Sequence, residues 1–324
     1  MTQDRPFLGL LLMIGFCVLA PLGDSIAKVL GDRIPLGQLL IVRFAAQAVI
    51  LFPLVAWLGL HWRFTGRVLR LTIVRTVLHI IGIGAMFTSL RYLPLADAVA
   101  IAFVMPFIML LLGKFVLEEE VGARRLIACC IGFVGTLLVV QPAFADVGLP
   151  ALLPLVVAVD FAFFMLVTRQ IAKDVEPVSL QMVSGLVACV ILLPLIFVGE
   201  AAGFPGLGFI APSGIDWALL AAIGALGTGA HLLMTWSLRF APSATLAPVQ
   251  YLEIPFATVI GYLIFRDLPN GLAAVGIFIT VGAGLYIVFR EQAMSRAVRQ
   301  ASPPPHPTPA VAEASAFSER QSEE

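Results

Sequence analysis

The chain has 324 residues, of which 60% are hydrophobic and 12% charged, with a mean hydropathy of +1.00 and a formal net charge of zero. Soluble domains carry roughly twice that share of charge, so the composition excludes one and points to a membrane protein. A balanced charge leaves no electrostatic footprint for nucleic acid.

A hydrocarbon core is crossed by about 20 apolar residues per helix. Stretches of that kind recur at 7–27, 36–58, 71–91, 95–117, 124–141, 149–168, 178–199, 215–238, 243–265 and 270–289, which predicts ten transmembrane helices. The runs are continuous and do not alternate with a period of two, so a barrel is excluded. Residues 1–6 form a short cytoplasmic N-terminus. Arg5 ahead of an apolar run resembles a signal peptide, but the run is too long and no small-x-small cleavage site follows it, so it is read as the first span. Cys17, Cys129, Cys130 and Cys189 fall within spans without metal-ligand spacing and read as small packing residues; no metal or cofactor is expected. The segment Gly59–Arg70 mixes Trp62 and Phe64 with arginines, as an interfacial anchor does. After Arg290 the run Ser302-Pro303-Pro304-Pro305 leads into a polar end, so 291–324 is predicted to be a disordered cytoplasmic tail.

The chain also says nearly the same thing twice. Ser89-Leu90-Arg91-Tyr92-Leu93-Pro94 begins an apolar stretch reaching Pro106-Phe107, and Ser237-Leu238-Arg239-Phe240-Ala241-Pro242 begins another reaching Pro255-Phe256. One inserted residue aligns both prolines and sets Asp267 opposite Glu118. The expectation is two repeats, 7–142 and 149–290, of five helices each. An odd number of spans inverts the second copy, so the predicted fold is an all-α membrane protein of two inverted five-helix repeats around a central cavity, the architecture of alternating-access transport. Lys and Arg crowd the loops on the side of the N-terminus, and the connection 200–214 contains none, which predicts an inner-membrane protein with both termini cytoplasmic.

Asp24, Lys28, Arg43 and Arg75, then Tyr92-Leu93-Pro94-Leu95-Ala96-Asp97-Ala98, Pro106 and Glu118, with Gly132 and Gly135, make the first half similar to the EamA group of the drug/metabolite transporter superfamily. The second half carries the resemblance in Ala247-Pro248-Val249-Gln250-Tyr251, Gly261, Phe265-Arg266-Asp267-Leu268-Pro269 and Gly282-x-Gly284. The resemblance covers both repeats and is specific as to family, not substrate; Asp267 stands where the family often has Glu. It implies ten helices, a central cavity and no ATP hydrolysis. The absence of a GxxxxGK[ST] loop agrees. Family substrates include amino acids, nucleotide-like metabolites such as S-adenosylmethionine, riboflavin, drugs and metallophores.

Pro106 and Pro255 fall mid-helix at matching places, and each lacks the amide that would bond the carbonyl four residues earlier, at Ala102 and Tyr251. Pro248 adds a further helix break. Matched breaks point to a transporter's substrate site. Charged groups inside a bilayer are costly and face the bundle interior, which makes Asp160 and Glu253 candidates for carrying a coupling proton. Gln250 and Tyr251 beside Glu253, His231 and Thr235 at i, i+4 with Trp236 next to them, and His79 and Met105 complete the candidate substrate site. Asp24, Lys28 and Arg43 form a candidate outer gate, Asp24 pairing with Lys28 one turn on or with Arg43, and Arg75 could serve on the cytoplasmic side. Each position has a packing alternative. Asp97, in the first turn of its helix, reads as a dipole partner.

The predicted function is a secondary transporter of a small polar or amphipathic metabolite, amino-acid-like, nucleotide-like or riboflavin-like, coupled to protons or working by exchange. Its partners are the small-molecule substrate, the lipid bilayer and protons, as a monomer or homodimer. The competing classes are a membrane-embedded enzyme, disfavoured by the lack of HExxH and GxSxG, and a channel or structural protein, disfavoured by isolated polar sites in place of rings.

Overall fold

The computed structural model describes residues 6–105, 107–108, 123–171, 174–241, 246 and 249–301. Among these residues the regular elements are helical throughout, without a strand. In chain order they are α1 (Pro6–Gly31), α2 (Leu36–Trp57), α3 (Gly66–Ser89), α4 (Leu95–Ala102), α5 (Ala123–Val147), a 3-10 turn at Leu149–Leu152, α6 (Leu153–Ile171), α7 (Pro177–Ala201), α8 (Gly214–Phe240), α9 (Glu253–Phe265) and α10 (Gly271–Ala301). Seven stretches among the described residues, in α1–α3 and α5–α8, are long and apolar enough to cross a membrane, and shorter apolar helices accompany them. The chain is a multi-pass helical membrane protein. It divides into two units, Met1–Val288 and Phe289–Glu324; the described part of the second is the helical stretch to Ala301.

Local chemistry sets the helix ends. Ser213 and Asp216 form a capping box at the start of α8, each side chain bonding the backbone of the other. Pro177 opens α7 at a position where its missing N–H is not needed. Arg266 closes α9 at φ 60, and its N–H bonds the Tyr262 carbonyl.

Several boundaries differ from the hydropathy reading. The fourth span is expected over 95–117 with its break at Pro106; α4 stops at Ala102, a turn at Phe103 and Val104 follows, and Met105 resumes helical geometry. In the ninth span Val249 and Gln250 are helical, Tyr251 and Leu252 form a turn, and α9 starts afresh at Glu253. Pro255 therefore lies in the first turn of α9, where an amide has no intrahelical partner to lose. The Tyr251 carbonyl, expected to be freed by Pro255, accepts from the Ile254 N–H at 3.3 Å. Pro106 and Pro248 lie outside the described residues, as does Glu118. Pro142 does not end its helix: α5 runs on to Val147 and ends at Gly148, whose φ of 71 is a left-handed value. The last helix passes Arg290 through Glu291, Gln292, Ala293 and Met294, good helix formers, to Ala301; residues 302–324 lie outside the described ones.

The main packing partners are α1 with α8, α2 with α7, α3 with α6 and α4 with α9. Replacing each of α1–α5 by the helix five places later, and the reverse, maps this set onto itself. Two further couples follow the same exchange, α2–α8 with α3–α7 and α1–α9 with α4–α6. The buried cluster around Met13, Phe16, Phe164, Ala230 and Met234 lies where these pairs meet.

Two contacts depend on missing side chains. A Cβ on Gly276 of α10 would stand 2.5 Å from the Gly135 carbonyl oxygen of α5, and one on Gly135 would stand 2.9 Å from the Gly276 carbonyl. A Cβ on Gly284 would collide with the ring and hydroxyl of Tyr251. Overpacking costs about 1–3 kcal/mol. Gly276→Leu should therefore lower the unfolding temperature in detergent, whereas Gly214→Ala, into open space, should not; equal melting of both variants would refute the close contact.

Candidate functional site

A cavity opens between α1, α2, α3, α4, α6, α8 and the turn before α9. Its apolar walls include the rings of Phe16, Phe87, Phe103, Phe161 and Phe164. Phe161 and Phe164 stack with centroids 5.4 Å apart. Against these rings stand Asp24 of α1, Arg43 of α2, His79 of α3, Asp160 of α6, His231 of α8, and Gln250 and Glu253 on either side of the broken turn. Met105 also lines the cavity. Ionisable groups thus converge on one cavity in an apolar bundle, as in a ligand site.

Glycines shape the room around the charges. A Cβ on Gly227 of α8 would meet Nε of Arg43 at 2.7 Å, and one on Gly82 of α3 would collide with Oδ2 of Asp160. Arg43 is 3% exposed and Asp160 7%. Arg43 Nη1 and Asp160 Oδ2 are buried without a hydrogen-bond partner among the described residues. His79 and His231 face each other with Nε2 atoms 3.4 Å apart, and the Nδ1 of each is buried without a hydrogen-bond partner among the described residues. Phe44 meets the His79 ring edge-on at 5.0 Å and Phe164 lies beside it at the same distance.

The cavity occupies one half of the bundle. On α1 it is lined from Phe16 to Asp24, on α3 from His79 to Phe87, and on α8 from Ile223 to His231. Toward the end that carries Pro6, Trp57 and Gly66, polar side chains fasten the helices together. Gln47 of α2 donates to the backbone and side-chain oxygens of Gln181 in α7. Gln181 in turn donates to Thr235 Oγ1 at 2.9 Å and to the His231 carbonyl at 3.1 Å. Arg75, fully buried, donates from Nε to Thr168 at 2.9 Å and from Nη1 to Ser184 at 3.0 Å, with its guanidinium 4.4 Å from the Phe164 ring centre.

Several candidates fall elsewhere. Tyr251 turns away from the cavity onto Gly284 and Phe103, whose ring is 5.3 Å away, because the turn at 251–252 rotates it off the face that Gln250 shares. Thr235 is buried in the polar fastening, and Trp236 packs against the cluster of Leu51, Val55 and Met182. Lys28 pairs neither with Asp24 nor with a helix neighbour: its ammonium lies 3.1 Å from Asp267 and 2.9 Å from the Leu93 carbonyl, and 4.8 Å from the Phe265 ring centre. Asp24 and Arg43 line the same cavity but form no ion pair within 4 Å. Cys17, expected only to pack, donates its thiol to the Val249 and Gln250 carbonyls beside the helix break. Gln47, Gln181, Thr168 and Ser184 escaped notice in the sequence, since a lone amide or hydroxyl barely interrupts an apolar run.

Comparison with known proteins places these features in a family. The model of the EamA-like transporter family matches residues 7–141 and again 148–290. The chain is 24% identical to a protein named S-adenosylmethionine uptake transporter from Rickettsia prowazekii (strain Madrid E), over 85% of this chain and 90% of the relative. It is 29% identical to a riboflavin transporter of Rhizobium johnstonii, over 69% of this chain and 72% of the relative. A pseudopaline exporter of Pseudomonas aeruginosa is 22% identical over 84% and 90% of the two chains. A solved structure, described only as the crystal structure of a protein, superposes with a TM-score of 0.62 at 17% identity, covering 90% of this chain and 99% of that one, a likeness of fold. Both matches to the family model together span nearly the whole described chain, and the protein belongs to the EamA-like transporter family.

Proposed function

We propose that the chain is an inner-membrane secondary transporter with both termini cytoplasmic, ten spans in two inverted repeats (7–142 and 149–290), and alternating access to a central metabolite site. The observation that carries the reading is the cavity that Arg43, Asp160, the two histidines and Glu253 line at the junction of the two halves, open space in one half of the bundle and polar fastening in the other. The exchange of helix contacts between α1–α5 and α6–α10 supports the pseudo-twofold relation of the repeats. Gln47–Gln181 and Arg75–Thr168/Ser184 each join a helix of one repeat to a helix of the other. Rocking that exposes the site to the cytoplasm has to part them, while Lys28–Asp267, which also crosses between the repeats, closes at the other end. The cargo is a small polar or amphipathic metabolite, and the relatives named for S-adenosylmethionine and riboflavin support that class. Asp160 and Glu253 stand where a coupling proton could bind. The unit that works is a monomer or homodimer.

The test is counterflow in proteoliposomes loaded with S-adenosylmethionine or riboflavin. Saturable uptake accelerated by internal substrate is expected; a flux linear in concentration would identify a channel instead. Gln181→Leu removes the side-chain bonds to Gln47, Thr235 and the His231 carbonyl, while the Gln47 bond to the Gln181 backbone remains, at a cost of about 1–3 kcal/mol. Its melting temperature should fall and counterflow slow, and wild-type values for both would remove the fastening from the transport cycle.

A further inference from the structure

Resting on the transporter reading, we infer that Asp97 is a positioning residue of the transport cycle: it receives the Lys28 ammonium when the repeats part and Asp267 withdraws.

Lys28 latches the two repeats at its end of the bundle. Its ammonium lies 3.1 Å from Asp267 and 4.8 Å from the Phe265 ring centre, both in the second repeat. It also donates to the Leu93 carbonyl of the first repeat at 2.9 Å. Only 19% of the Lys28 side chain is exposed. Opening at this end takes Asp267 and Phe265 away together and leaves a largely buried cation with one carbonyl. Removing the partner of a buried charge is costly, so a second acceptor within the first repeat eases the step.

Asp97 has the attributes of that acceptor. It is 6% exposed, and its Oδ1 is buried without a hydrogen-bond partner among the described residues. It occupies the third position of α4, where an acidic side chain can reach back to the N–H of the capping residue. The capping residue here is Pro94, which has no N–H. Asp216 holds the same position in α8 and shows the contrast, bonded to the N–H and hydroxyl of Ser213 and paired with Arg33.

Asp97 is also close to the latch. It interacts electrostatically with both Lys28 and Asp267. It lines a small pocket together with Leu93, whose carbonyl already holds Lys28, and Leu268, the neighbour of Asp267. Lys28, Leu93 and Asp97 belong to one repeat, so the ammonium can stay on the Leu93 carbonyl and swing to Asp97 as the other repeat moves off. Asp267, 40% exposed while paired, is then left to water. The exchange keeps one ion pair in each state.

The experiment measures distances between spin labels on the purified full-length protein in detergent, with the four native cysteines replaced by serine. Labels on Asp32→Cys and Leu272→Cys, at exposed positions of the first and second repeats near the latch, report opening at that end. Asp267→Asn cuts the latch and should raise the long-distance population at least about tenfold. Adding Asp97→Asn should return that population to near the parent's, since neither state then offers Lys28 a carboxylate. Asp97→Asn alone should melt no lower than the parent, because the closed state leaves this carboxylate unanswered. Equal long-distance populations in Asp267→Asn with and without Asp97→Asn overturn the assignment, as does an Asp267→Asn protein that stays as closed as its parent. A lower melting temperature for Asp97→Asn overturns it too and returns Asp97 to the role of dipole partner for α4. Where Asp267→Asn does not fold, that melting temperature decides. No substrate enters these measurements, so counterflow by the wild-type protein decides the carrier reading separately.

Discussion

Inside the hydrocarbon of a bilayer no water answers a polar group, so an amide, hydroxyl or guanidinium left facing lipid is costly and is turned to protein or to a cavity. That constraint organises this molecule. Gln47 finds Gln181, Gln181 finds Thr235 and the His231 backbone, and Arg75 finds Thr168 and Ser184. These partners come from helices far apart in the chain. The polar groups therefore do what the hydrophobic effect cannot do between helices already surrounded by lipid: they specify which helix lies beside which.

Close approach is the second requirement, and glycine supplies it. Gly135 and Gly276 let α5 and α10 meet backbone to backbone, and Gly284 receives the Tyr251 ring. Gly82 and Gly227 are different in kind. Each creates space that a charged side chain from another helix fills, so small residues here position Asp160 and Arg43 as much as they pack helices. The broken turn at Tyr251–Leu252 serves the same end, with Gln250 and Glu253 on the cavity and Tyr251 packed against Gly284 and Phe103.

Hydropathy alone reveals where most of the helices lie, because a long apolar run has few alternatives. It also exposes Asp160, His79, His231 and Glu253, since an ionisable residue stands out in such a run, and all four line the cavity. Pairing is harder to read. Lys28 and Asp267 are 239 residues apart, and nothing local to either names the other. Periodicity fails at a helix break: the i, i+1 neighbours of Gln250 cannot be assigned a face once the helix restarts, which is why Tyr251 reads as a cavity residue and is not one. Thr235 shares a face with His231, as i, i+4 spacing requires, yet its hydroxyl is held by the His231 carbonyl and the Gln181 amide. Where a proline acts is equally a matter of frame, since Pro255 near the middle of an apolar run is at the start of a helix.

The facing histidines carry a consequence of their own. A hydrogen bond between two Nε2 atoms 3.4 Å apart needs one N–H and one lone pair. As a neutral pair, His79 and His231 must therefore be opposite tautomers, and their outward Nδ1 atoms are opposite too, one a donor and the other an acceptor. Two like residues facing each other are thus made unlike by a single hydrogen. Moving that hydrogen, and its counterparts on the rings, would exchange which histidine offers a donor at Nδ1 without moving any heavy atom.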